Sequence, residues 1–204
     1  MKLKKIKKTL SGGKLAGGNP ENGRVENDFY ATNPVAVEML LNKYSFKGTT
    51  ILEPCVGEGH IAEAIKEFTD NEVQITGLDL IDRGYPNTIV QNFLTWNTVK
   101  KFDVIITNPP FSLAQEFIEK SMTLLKDNGQ MAMFLKIQFL EGVKRKDFFE
   151  KYPPKYVYVF RSRMATWNNG QPLDPKGKRW ATTMCHAWFI WEKGSTSEPI
   201  IRWL

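Results

Sequence analysis

The most informative stretch of this chain is Val104-Ile105-Ile106-Thr107-Asn108-Pro109-Pro110-Phe111. Its first half is a β-branched apolar run, which predicts a buried strand. The two prolines lack N–H donors and fix their own φ angles, so they predict a stiff turn where that strand ends. The turn leaves acceptors, the Asn108 side-chain oxygen and nearby carbonyls, beside the ring of Phe111. These groups would fit a planar base with an exocyclic amino group, although Asn-Pro is also a common turn dipeptide.

Strands and helices are predicted to alternate around this stretch. Apolar runs predict strands at residues 50–53, 73–80, 88–90, 102–107, 131–135, 156–160, 185–191 and 199–203. Asn33-Pro34 is typical of a helix start, a capping-box pattern opens at Ser112, and Asn128-Gly129 is typical of a helix stop. This order predicts an α/β fold whose mainly parallel sheet is covered by helices on both faces. The late strands follow one another without a helix, which predicts an antiparallel pair at one edge.

The charge of the chain is unevenly distributed. The 204 residues carry a formal net charge of +6. Residues 1–14 hold six Lys and no acidic residue, residues 15–142 hold ten basic and seventeen acidic ones, and residues 143–204 hold twelve basic and five acidic ones. The last part also holds five of the six Trp, and interleaved basic and aromatic residues favour contact with nucleic acid. We predict a basic flexible arm over residues 1–27 and one domain over residues 28–204.

Composition argues against several classes of protein. No apolar run approaches the roughly 20 residues of a membrane-spanning helix, and residues 1–5 are basic without the apolar stretch of a signal peptide. The two cysteines, Cys55 and Cys185, provide neither a disulfide framework nor a cluster of metal ligands. We therefore expect a cytoplasmic protein that has no metal site and does not associate with a membrane. The sequence does not indicate an oligomeric state.

A glycine-rich turn follows an early predicted strand. Gly57 and Gly59 permit a tight turn and let a ligand approach the backbone closely. Asp79 ends the next strand, where it could accept hydrogen bonds from ribose hydroxyls. The pattern also satisfies a relaxed dinucleotide fingerprint, so a dehydrogenase is an alternative. The carboxylates of Glu53 and Glu58 argue against it, because they disfavour a pyrophosphate and suit a cation.

These motifs together resemble class I S-adenosylmethionine-dependent methyltransferases, specifically the amino-methyltransferases that act on adenine N6. In that family a Glu-containing Gly loop, an acid that ends the second strand and an Asn-Pro-Pro-aromatic turn recur in this order. The segment Phe29-Tyr30-Ala31-Thr32-Asn33-Pro34 resembles the family's N-terminal cofactor motif. Asn92-Phe93 stands where the family often has Asp-Phe. The resemblance covers about residues 29–191, and residues 189–194 are similar to the end of small enzymes from phages and mobile elements.

The resemblance implies a Rossmann-like class I methyltransferase fold, a mostly parallel seven-stranded sheet with an antiparallel edge hairpin and helices on both faces. It implies S-adenosylmethionine as cofactor and S-adenosylhomocysteine as product. The residues it implies for the cofactor site are Phe29, Tyr30, Thr32, Asn33, Pro34, Glu53, Pro54, Gly57, Gly59, Asp79, Asn92 and Phe93. The residues it implies for catalysis are Asn108, Pro109, Pro110 and Phe111.

Other polar residues give weaker signals. Lys136, Arg161, Arg163 and Trp167 follow or lie beyond the ends of predicted strands, where they could contact nucleic acid, although solvated surface charge explains the cations equally well. His60 is interpreted as a residue that faces solvent at a helix start. His186 is interpreted as structural.

The expected function is transfer of a methyl group to adenine N6 in nucleic acid, with DNA favoured over RNA. Two alternatives keep the chemistry and change the acceptor, to guanine N2 or adenine N6 of ribosomal RNA or to a protein glutamine. A third is a non-catalytic module that binds a nucleotide or nucleic acid with the same fold.

Overall fold

The computed structural model describes residues 29–204, so the basic arm predicted over residues 1–27 lies outside the described residues. The α-helices are α1 (Pro34–Leu41), α2 (His60–Phe68), α3 (Ala114–Leu124) and α4 (Lys146–Lys151). The strands are β1 (Tyr30–Ala31), β2 (Thr50–Glu53), β3 (Gln74–Asp79), β4 (Ile89–Val90), β5 (Phe102–Thr107), β6 (Leu125–Lys136), β7 (Tyr156–Val159), β8 (Trp167–Asn168), β9 (His186–Glu192) and β10 (Ile200–Trp203).

The main sheet has eight strands in the order β10-β7-β9-β6-β5-β2-β3-β4. All neighbours pair in parallel except β9, which runs antiparallel to both β6 and β7. β1 and β8 form a separate two-stranded antiparallel sheet. The predicted mostly parallel α/β sheet is confirmed.

Two details of the prediction are wrong. The sheet has eight strands instead of seven, because β10 adds to the outside of β7. The antiparallel pair is present as β7 and β9, but it is not the edge of the sheet, since β10 pairs in parallel with β7 beyond it. β10 itself lies within the strand predicted at residues 199–203, and it forms one edge of the sheet.

The sheet buries both of its faces. Alternate residues of the central strands divide between two apolar clusters, as expected for strands that are covered on both sides. α1 and α2 contribute Val37, Leu40, Ile61 and Ile65 to one cluster. α3 supplies Phe117 and Ile118 to the other, together with Phe148 of α4.

Local signals explain where α1 begins. Asn33 caps α1, since its side chain accepts a hydrogen bond from Val35 N–H at 3.1 Å, and Pro34 occupies the first position. This predicted helix start is confirmed. None of the helices described over residues 29–204 has the length and apolar character that crossing a membrane requires.

Candidate active site

Four neighbouring strands end at one edge of the sheet. β6, β5, β2 and β3 are adjacent and parallel, so their carboxyl ends lie side by side. Those ends carry Lys136, Asn108, Glu53 and Asp79 in the same order. This edge is where open α/β sheets bind ligands, and it brings together residues that are far apart in sequence.

The Asn-Pro-Pro-Phe turn forms a fixed corner after β5. The Asn108 side-chain N–H₂ donates a hydrogen bond to the Tyr30 carbonyl at 3.0 Å. This contact orients the amide, and no described residue donates to its Oδ1 or to the Pro109 carbonyl. Pro109 is buried and Pro110 is exposed. The corner therefore offers two oxygen acceptors in a rigid backbone.

An aromatic and basic cluster lies beside this corner. The Lys136 ammonium is 4.9 Å from the centre of the Phe111 ring, and the His186 ring centre is 5.8 Å from it. Lys136 and His186 are directly paired across β6 and β9. The His186 ring is stacked on Phe134, and its Nδ1 lies 2.8 Å from the Met164 carbonyl. Burial lowers the pKa of His186, so a neutral imidazole stands next to Phe111.

The Gly loop is held against the end of β3. Asp79 accepts hydrogen bonds from Gly57 N–H at 2.8 Å and from Ile81 N–H at 3.1 Å. Gly57 and Gly59 both adopt positive φ angles, 55° and 89°. A Cβ at Gly57 would lie 2.3 Å from the Phe29 ring. Both the positive φ angle and this close contact therefore require glycine at position 57.

Glu53 is the unusual group of the site. It is 1% exposed, and its Oε2 has no hydrogen-bond partner among the described residues. Burial raises the pKa of the Glu53 carboxyl well above its usual range, the Ala62 N–H opposes that shift, and the charge of Asp79 adds to it. A buried carboxyl with an unpaired oxygen is costly unless a cation or donor completes it. Pro54, which follows it, is buried as well.

The N-terminal segment covers the loop. The Phe29 ring packs on Gly57, and the Arg83 guanidinium lies 4.6 Å from the centre of that ring. Thr32 is 3% exposed, and its hydroxyl has no described hydrogen-bond partner. Tyr30 supplies the carbonyl that orients Asn108. Asn33 and Pro34 instead begin α1, so their described contacts are structural.

Asn92 and Phe93 are placed differently from the other predicted cofactor residues. The Asn92 side chain accepts a hydrogen bond from Leu94 N–H at 3.0 Å and so stabilises a turn. The Phe93 ring is 2% exposed and packs 4.9 Å from the ring of Phe117. The Phe93 side chain therefore belongs to the apolar core.

The four candidates for nucleic-acid contact do not form one group. Lys136 lies beside the Asn108 turn, and Arg161 is exposed after β7. Arg163 is exposed but its guanidinium contacts the Cys185 sulfur. Trp167 lies in β8, and its ring is nearly perpendicular to that of His60, with 5.5 Å between the ring centres.

Two further side chains near the loop have structural roles. The His60 side chain is 18% exposed and packs against Trp167, so the prediction that it faces solvent is wrong. Residue 167 lies 107 positions away in the chain, so no local pattern indicates this contact. Burial raises the pKa of the Cys55 thiol, which argues against a nucleophilic thiolate.

Sequence reasoning missed Tyr85, whose ring packs where a Cβ at Gly59 would stand. It also missed the contact of His186 with Phe111, which joins residues 75 positions apart in the chain. Among residues 29–204, no group of three His, Cys, Asp or Glu side chains is arranged to hold a metal ion. Surface cavities of about 360 and 330 Å³ lie around Pro153, but neither includes a residue of the site.

The architecture is that of the class I methyltransferase fold. It is defined by the strand order, the Gly loop after β2, the acid that ends β3 and the turn after β5. Comparison with solved structures agrees. The methyltransferase subunit of a type I restriction-modification system from Streptococcus thermophilus aligns with a TM-score of 0.59 and 20% identity, over 84% of this chain and 46% of that one. The M protein of the type I restriction enzyme EcoKI aligns with a TM-score of 0.56 and 14% identity, over 86% and 46%.

One sequence relative is also similar. The type II methyltransferase M.CvrRI of Paramecium bursaria Chlorella virus XZ-6E is 31% identical over 123 residues, which cover 48% of this chain and 32% of that protein. The chain thus spans about a third of that relative and less than half of the two structures. No protein-family model matches the sequence.

Proposed function

We propose that this chain transfers a methyl group from S-adenosylmethionine to the exocyclic N6 of adenine in nucleic acid, with DNA as the favoured substrate. The observation that carries the proposal is the Asn108 corner. Its amide is oriented by the Tyr30 carbonyl, so that Oδ1 and the Pro109 carbonyl remain as acceptors at the carboxyl end of β5. Two acceptors match the two N–H groups of a primary amine.

The residues of the loop fit the proposed cofactor. S-Adenosylmethionine carries a cationic amino group, a sulfonium and a ribose diol. The unpaired oxygen of Glu53 suits a cation, and Asp79 lies at the strand end where it can accept from hydroxyl groups. The positive φ angles of Gly57 and Gly59 allow the tight turn that places the loop backbone at the carboxyl end of β2. When bound, the cofactor supplies a methyl group already activated by the sulfonium.

Asn108 and Pro109 would act on the amine. The lone pair of an adenine amino group is delocalised into its ring, so the nitrogen is a weak nucleophile. Hydrogen bonds from both N–H groups to Oδ1 and to the Pro109 carbonyl would favour a tetrahedral nitrogen and direct its lone pair outward. These fixed acceptors also stabilise the positive charge that develops on the amine.

Phe111 would support the base. Its ring lies at the start of the turn that follows the acceptors, and Lys136 and His186 pack around it. A base stacked there must leave a duplex first, which costs a few kcal/mol. Stacking on an aromatic ring contributes about 1–3 kcal/mol and so offsets much of this.

Incubation with methyl-labelled S-adenosylmethionine tests the proposal. Duplex DNA, RNA and a protein extract are supplied separately, and the labelled products are digested and identified by mass spectrometry. The proposal predicts N6-methyldeoxyadenosine from DNA. Label in RNA alone would move the substrate to RNA, label in glutamine would move it to protein, and label in none would contradict a methyltransferase.

A further inference from the structure

The connection between β7 and β9, residues 160–185, is a basic and largely exposed part of the described chain that the proposed chemistry does not use. It contains five basic residues and one acidic residue, Asp174. The basic residues are all exposed: Arg161, Arg163, Lys176, Lys178 and Arg179. β7 ends and β9 begins at the ligand edge, because β9 runs antiparallel to β6 and β7. The connection therefore rises from the same edge as Asn108.

Residues 171–180 of this connection form a hairpin, called here the basic hairpin. Leu173 and Arg179 form an antiparallel bridge, and Asp174 N–H donates to the Lys178 carbonyl at 2.8 Å. The Asp174 carboxylate accepts from the backbone N–H groups of Lys176 and Lys178, both at 2.8 Å. The acid is thus used inside the turn and does not pair with the lysine side chains. No described ion pair includes Lys176, Lys178 or Arg179.

The residues just before the basic hairpin contact both the Gly loop and β1, the strand that orients Asn108. β8 pairs with β1, and Asn169 N–H donates to the Phe29 carbonyl at 2.9 Å. The Gly170 backbone lies against the carboxylate of Glu58 in the Gly loop, since a Cβ there would clash with it. β1 is also the strand whose Tyr30 carbonyl orients Asn108. A polyanion held by the hairpin would therefore lie beside the catalytic corner.

We propose that the basic hairpin binds the phosphodiester backbone of the nucleic acid beside the target nucleotide, with Lys176, Lys178 and Arg179 as the phosphate contacts. This proposal rests on the proposed function. Exposed cations outside any described ion pair, on a turn whose backbone is held by hydrogen bonds, suit sequence-independent binding of phosphates. Arg163 contributes less, because its guanidinium already contacts Cys185.

The test is the salt dependence of binding, measured by fluorescence anisotropy with labelled duplex DNA, single-stranded DNA and RNA, and by sedimentation with phosphatidylserine vesicles. Lys176→Ala/Lys178→Ala is compared with Lys43→Ala/Lys47→Ala, a pair exposed before the amino end of β2, at the opposite edge. All proteins are saturated with S-adenosylhomocysteine, and unchanged affinity for it shows that they are folded. The backbone bonds of the hairpin survive both substitutions in the first variant.

Each lost phosphate contact lowers the salt slope for duplex DNA by about 0.9, so between 50 and 200 mM salt the hairpin variant should lose roughly tenfold less affinity than the wild type. The Lys43 and Lys47 variant should follow the wild type. If the substitutions lowered the salt slope for RNA alone, the phosphate contact would stand and RNA would be the partner. The proposal would be overturned if the salt slope of nucleic-acid binding were the same in the Lys176/Lys178 variant and the Lys43/Lys47 variant. It would also be overturned if the Lys176/Lys178 substitutions weakened binding to vesicles alone. Wild-type protein that binds the cofactor product but no nucleic acid would instead overturn the proposed function.

Discussion

Replacing Glu53 with Gln should weaken cofactor binding without harming the fold. The side chain keeps its shape, and the Ala62 N–H that bonds to the carboxyl can bond to an amide oxygen as well. In the free protein Glu53 is buried and its pKa is raised, so the neutral form is favoured and an amide is a close substitute. The free energy of unfolding should therefore stay the same or rise.

Binding is affected differently. The unpaired Oε2 is expected to accept a hydrogen bond from the cationic amino group of the ligand. A hydrogen bond to a charged group contributes about 1.5–3 kcal/mol, which corresponds to a roughly 10- to 150-fold higher Kd. Gln keeps one acceptor but cannot ionise when the cationic ligand binds, so the lower part of this range is expected.

Isothermal titration with S-adenosylhomocysteine measures this effect, and urea denaturation measures stability in parallel. Glu63→Gln is the matched control, because Glu63 is an exposed carboxylate on α2 that pairs only with Lys66 among the described residues. Unchanged affinity in Glu53→Gln, or a loss of stability as large as the loss of binding energy, would refute the role given to Glu53.

Two further substitutions test the loop and the acid stability of the fold. Gly59→Ala should destabilise the protein more than Gly84→Ala in urea denaturation. Both positions have φ near 90°, but a Cβ would lie 2.1 Å from the Tyr85 ring at Gly59 and within 4 Å of nothing at Gly84. The left-handed backbone costs about 1–2 kcal/mol at each, so equal losses would contradict the close contact. Burial alone would raise the pKa of Asp103, but the hydrogen bond from Lys126 and others lower it to about 2. Its ionised form therefore stabilises the fold above about pH 4, and this contribution is lost as the pH falls toward about 2. Asp103→Asn should lower Tm at neutral pH and flatten the acid part of the stability curve, whereas an unchanged curve would contradict the assignment.

The sequence predicted the positions of the candidate site residues better than the contacts that surround them. Glu53, Asp79 and Asn108 each end a strand or follow one directly, and parallel strands place such residues at one edge whatever the loops do. Asn33 and Pro34 act through contacts within a few residues, so the start of α1 was also predictable. The placement of the strand-end residues and the start of α1 were both predictable because neither depends on a contact between distant loops.

Local patterns gave wrong results where another arrangement satisfied the backbone. The capping box at Ser112 does not cap α3, because a 3₁₀ turn over Phe111–Leu113 precedes the helix and Leu113 occupies the cap position without a side-chain bond. Asn128 has a positive φ angle but lies inside β6, after α3 has already ended at Leu124.

Contacts between distant segments were not predictable from the pattern. The pairing of β1 with β8 involves two residues on each side, too few to show a period. The packing of Trp167 on His60 and of Tyr85 on Gly59 follows from that pairing and from the β3–β4 loop. These contacts decide how the site is enclosed, and they carry no sequence motif.

The proposed methyl transfer depends most on the two acceptors at Asn108 and Pro109. Single-turnover methyl transfer to duplex DNA by Asn108→Ala, beside the affinity of that variant for S-adenosylhomocysteine, tests them directly. Asn97→Ala, at an exposed loop position, is the control. We expect a rate lower by about 10²–10³ with cofactor affinity retained. Turnover close to that of the wild type would show that Asn108 does not act on the amine.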